Sequence, residues 1–132
     1  MTLRSIARRA LLALLLVGAP VRAGASMLHL KLSRSEPAAN AVLTAAPTQI
    51  RLWFTQKPEL SVTSIKLRSG AGATAVERTL APLSRTDVAN SPITAPVGAA
   101  LASGHFEVVW RTMARDGHVL NGVIGFDVRT AR

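Results

Sequence analysis

The stretch HFEVVWRTMARDGHVLNGVIGFDV, from His105 to Val128, decides the fold. Its first part, His105 to Thr112, alternates, with Phe106, Val108 and Trp110 on one face. Its last part does the same, with Leu120, Ile124, Phe126 and Val128 at one parity. Period-two alternation rich in β-branched and aromatic residues marks strands with one buried face. Between the two strands lies Asp116-Gly117-His118, a turn dipeptide followed by an imidazole. On its own this tripeptide reads first as a solvated turn, and only second as two metal-ligating side chains meeting across a flexible glycine.

The same signal recurs upstream. His29 to Arg34 alternates and reads as a first strand, ended by the loop through Pro37. Gln49 to Phe54 places Ile50, Leu52 and Phe54 on one face and leaves Trp53 on the other. Leu60 to Ser69 slips in parity between Leu60/Val62 and Ile65/Leu67, which suggests a bulge or a switch of sheet. Ala73 to Leu80 reads as a weaker edge strand, and residues 81–97 as loop with a short strand near Ile93. No segment after residue 25 sustains a helical period. Strands about ten residues apart, with proline and glycine between them, imply an all-β Greek-key sandwich or barrel.

The first 25 of the 132 residues have a different character. Arg4, Arg8 and Arg9 precede the apolar run from Ala10 to Ala19, Pro20 breaks it, and Ala23-Gly24-Ala25 is a small-residue cleavage pattern. The run is too short to span a bilayer, so residues 1–25 are expected to be a cleaved signal peptide and 26–132 a single domain. Of the 16 basic residues four lie in that leader, leaving twelve against seven acidic. They are scattered, and the chain has two tryptophans and three phenylalanines, so nucleic acid is not an expected partner. Cysteine is absent, which excludes disulfides, thiolate metal sites and cysteine nucleophiles.

No hydrolase, nucleotide or zinc-protease motif is present, and no catalytic role is expected. A Ser/His/Asp hydrolase would need a hydroxyl within reach of His118, which no motif predicts. Three histidines remain as chemistry. His105 opens a strand and reads as structural or solvated. His29 and His118, with Asp116, would form a nitrogen/oxygen site. Such donors suit Cu(II) best, with Ni(II) and Zn(II) as competitors. Only Met27 and Met113 follow the leader, too few and too dispersed for a thioether Cu(I) site.

Several elements taken in order resemble the CopC family of periplasmic copper-resistance proteins. They are His29-Leu30-Lys31-Leu32-Ser33-x-Ser35-x-Pro37-Ala38, Leu52-x-Phe54, Gly104-x-Phe106-x-Val108-x-Trp110-Arg111 and Asp116-Gly117-His118-x-x-x-Gly122-x-x-x-Phe126-x-Val128. The resemblance implies an immunoglobulin-like β-sandwich of about seven strands. It implies a Cu(II) site on His29, Asp116 and His118, and a monomeric periplasmic carrier or store that works with an inner-membrane CopD-type copper transporter. The chain departs from the family in three ways. Ser26-Met27-Leu28 stand ahead of His29 if cleavage follows Ala25, whereas the family's histidine begins the mature chain. Gln56 replaces a carboxylate found in some members, and the methionine-rich Cu(I) loop is missing. The alternative is an immunoglobulin-like interaction module in which the Asp-Gly-His turn is only structural.

Overall fold

The computed structural model describes residues 29–131. The expected signal segment and its cleavage site lie outside them.

Eight strands are present among the described residues: β1 Leu32–Glu36, β2 Val42–Leu43, β3 Gln49–Phe54, β4 Ser64–Ser69, β5 Val76–Thr79, β6 Ile93–Pro96, β7 Gly104–Met113 and β8 Val119–Val128. They form two sheets, ordered β1-β3-β6 and β2-β8-β7-β4-β5. All pairings are antiparallel except β2 with β8, which is parallel. This is the expected immunoglobulin-like sandwich, with one strand more than the seven anticipated. The addition is β2, whose two residues are too short for any periodicity to show.

The hairpin β7–β8 is the backbone of the larger sheet, in register from Gly104↔Val128 to Met113↔Val119. The inward residues of its strands meet those of β3, β4 and β6 in one core, where Ile50, Leu52, Ile65, Ile93, Val108 and Phe126 are almost wholly buried. Burying each such side chain contributes about 1.5–3 kcal/mol, which is how a domain without disulfides holds together. Phe106 and Phe126 face each other across the hairpin with ring centroids 5.7 Å apart. Trp110 meets Phe54 edge-on at 5.3 Å, joining the two sheets. Its indole also lies over Gly122, where an added Cβ would fall 2.5 Å from Cζ2.

Two expectations are revised. The parity slip between Leu60 and Leu67 is neither a bulge nor a change of sheet. Residues Leu60–Val62 form a 3-10 turn, and the strand begins only at Ser64. The first strand begins at Leu32 rather than at His29, and a register shift separates Leu32 from Arg34. Trp53 does face outward, half-buried, with the Arg34 guanidinium 3.9 Å from its ring centroid.

Candidate metal centre

The Asp-Gly-His tripeptide sits at the tip of the β7–β8 hairpin, and its backbone is fully specified. The Gly117 N–H donates to the Ala114 carbonyl at 2.9 Å, and the Ala114 N–H donates to the His118 carbonyl at 2.9 Å. Gly117 takes φ +89°, a left-handed conformation that closes the turn as a glycine bulge. One carboxylate oxygen of Asp116, Oδ1, accepts the His118 N–H at 3.1 Å. The other, Oδ2, lies 2.9 Å from Nδ1 of the His118 ring. Both side chains are exposed, and Nε2 is the imidazole nitrogen left unengaged among the described residues. The His118 imidazole first, and its backbone N–H second, hold the Asp116 carboxyl below the ordinary carboxylate range.

The tip rests on a polar support. Thr112 is buried, and its hydroxyl bonds that of Thr63 at 2.6 Å. Thr63 Oγ1 also meets the Glu59 carbonyl at 2.6 Å, and the Glu59 N–H donates to the Met113 carbonyl. These bonds clamp the end of β7 to the segment before β4.

His29 approaches from the other sheet. The Thr55 hydroxyl donates to the His29 carbonyl at 2.8 Å and accepts the Lys31 N–H at 2.9 Å. The Thr55 N–H closes the arrangement on the Lys31 carbonyl at 2.9 Å. Leu30, between them, is buried. The backbone of His29 is therefore tied to the end of β3. Sequence reasoning missed Thr55, which looks like any strand-end threonine.

His29, Gln56, Asp116 and His118 all line one cavity of about 420 Å³ between the hairpin tip and the start of the chain's described part. Asp116 and His118 are in contact, and His29 faces the same space. Among the described residues, however, no three His, Cys, Asp or Glu side chains are drawn together tightly enough to form a metal-binding cluster. The donor chemistry in this cavity fits a nitrogen/oxygen-preferring ion: two imidazoles, a carboxylate and a neutral amide.

His105 lies at the opposite end of β7, where its Nδ1 is 2.7 Å from Asp127 Oδ1. Asp116 is thus not the sole carboxylate with a histidine beside it. The signal was available: folding the two strands about Asp116 sets His105 opposite Asp127.

The CopC domain family model matches residues 32–129. The chain belongs to the CopC family. Among curated relatives, Protein YobA of Escherichia coli (strain K12) is 31% identical over 101 residues, covering 76% of this chain and 79% of that protein. Copper resistance protein C of Xanthomonas campestris pv. juglandis is 27% identical over 116 residues, covering 86% and 91%. Two solved structures share the fold. CopC from Methylosinus trichosporium OB3b superposes with a TM-score of 0.67 at 23% identity, covering 79% of this chain and 97% of that one. PcoC, a methionine-rich copper resistance protein from Escherichia coli, gives 0.63 at 24%, covering 76% and 99%. Asp116 and His118 fall within the matched range and His29 three residues before it, all at one pole of the sandwich, while the His105–Asp127 pair falls at the other.

Proposed function

We propose that this CopC-family chain is a periplasmic Cu(II)-binding protein that stores copper or hands it to an inner-membrane transporter of the CopD type. His29 and His118 are the imidazole ligands and Asp116 the carboxylate ligand. One observation carries the reading: His29, ahead of β1 in one sheet, and Asp116 and His118, in the β7–β8 turn of the other, are far apart in sequence yet line one cavity. The His118 side chain is exposed, so rotation of its ring from Asp116 toward His29 closes the set on binding. Gln56 has no charge to give, and its amide lines the same cavity, where it can hydrogen-bond a ligand. Two of the related proteins, the Xanthomonas protein and PcoC, are copper resistance proteins. With three methionines in the whole sequence, this chain lacks the thioether supply a Cu(I) site would draw on, and its donors favour the oxidised ion. The role is non-catalytic, and the working unit is a monomer.

The test is titration of the exported protein with Cu(II) and with Zn(II), repeated on His118→Ala. The reading expects one tight Cu(II) site, weaker Zn(II) binding, and loss of the Cu(II) site in the variant. A second reading, an interaction module without a metal, draws on the lack of a preassembled three-ligand cluster among the described residues. Absence of Cu(II) binding by the unaltered protein would establish it.

A further inference from the structure

The β8 strand is paired along its whole length with β7 but along only part of its other side. On that second side β2 covers Asp127 and Val128, and the Asn40 N–H reaches the Gly125 carbonyl at 2.7 Å. The Asp127 N–H donates to Ala41 and the Arg129 N–H to Leu43. Residues 125, 127 and 129 thus turn backbone groups toward this side, and antiparallel alternation carries the pattern back to Val123, Asn121 and Val119. Among the described residues nothing pairs with those three. Their side chains are exposed, Val119 by 49% and Val123 by 54%.

The other sheet edges are blunted in the usual ways. Strand β5 carries Glu77 and Arg78, β1 carries Arg34 and Glu36 and runs into Pro37, and β6 ends at Pro96 and is bridged by Ser84. The Val119–Ile124 edge has neither charge nor proline. It begins one residue past His118, and Val119 and Leu120 line the same cavity as His29 and Asp116.

Charge selects the occupant. Arg111 lies across from Asn121 on the outer face, and Arg115 stands at the hairpin tip; neither has an ion-pair partner among the described residues. We propose that the Val119–Val123 edge of β8 is the docking rail for an acidic, extended segment of a partner protein, which adds a strand beside the metal centre. This rests on the copper-handling reading for its purpose, since it places a donor or acceptor next to His118, but the contact itself needs no metal.

The probe is a synthetic peptide, acetyl-Glu-Val-Glu-Val-Glu-Val-amide, added to nitrogen-15-labelled, metal-free exported protein at low salt. The Val119, Asn121 and Val123 amides should shift and exchange more slowly with solvent. A peptide with lysine in place of glutamate should bind about tenfold more weakly or worse. Asn121→Pro, which removes an outward N–H, should abolish binding, and Arg111→Glu should weaken it about tenfold. Val123→Asp, whose carboxylate on the outward edge repels the glutamates, should weaken binding at least about tenfold and serves if the proline variant fails to fold. Shifts confined to other residues, equal affinity for the two peptides, or self-association through these same amides would overturn the proposal. Peptide binding without copper binding would reject the copper reading alone, and copper binding without a peptide response would reject the docking edge alone.

Discussion

The Thr55 hydroxyl holds the backbone of His29, donating to its carbonyl at 2.8 Å while accepting the Lys31 N–H at 2.9 Å. The histidine nearest the start of the described chain is therefore positioned by a side chain at the end of β3. Thr55→Val keeps the shape and removes both bonds. Copper affinity should fall about tenfold, as for other outer-shell partners, with little change in unfolding temperature because Thr55 is exposed. Thr55→Ser should retain wild-type affinity. Equal affinities in the two variants would show that the tether does not matter to the site.

Gly122 is fixed by its neighbour Trp110, which fills the place a Cβ would need. Gly122→Ala should cost about 1–3 kcal/mol through overpacking. Thermal unfolding checks this, together with a shift in tryptophan emission. Trp110→Phe in the same background should recover part of the loss, since the smaller ring clears the clash. It also removes the buried indole Nε1, which has no hydrogen-bond partner among the described residues.

The sandwich was legible in the sequence wherever alternation was long and its apolar face deep. Strands β3, β7 and β8 follow the parity of their buried residues, and the short strand near Ile93 and the edge strand β5 fall where expected. What alternation could not show is local geometry set by other segments. Leu60 and Val62 look strand-like but wind into a 3-10 turn, and His29 to Lys31 are held by Thr55 rather than by a ladder. The candidate site was half legible. Asp116 and His118 are neighbours in sequence and in space, whereas the approach of His29 depends on how two sheets pack. The His105–Asp127 pair follows from pairing the two strands about Asp116, a step that alternation within each strand does not require.

Acidity should act on copper binding through the imidazoles. The neighbouring His118 ring and N–H depress the Asp116 carboxyl. The stabilisation this gives is complete above the ordinary carboxylate value and is lost only as pH falls through the depressed one. Imidazoles, by contrast, must be neutral to ligate. Copper affinity should therefore fall on acidification while the Asp116 carboxylate is still ionised. Affinity measured as the pH is lowered should show proton uptake on copper release. A flat profile down to about pH 4 would mean that carboxylates alone hold the metal.

The central claim is that copper sits at the hairpin-tip pole, between His29 and His118, and not at the opposite pole beside His105. Competition titration with Cu(II) on the unaltered protein and on His29→Ala, His118→Ala and His105→Ala tests it most directly. The account predicts one tight site, lost or weakened at least about a hundredfold in the first two variants and unchanged in the third. Full affinity in His118→Ala, or a loss confined to His105→Ala, would contradict it.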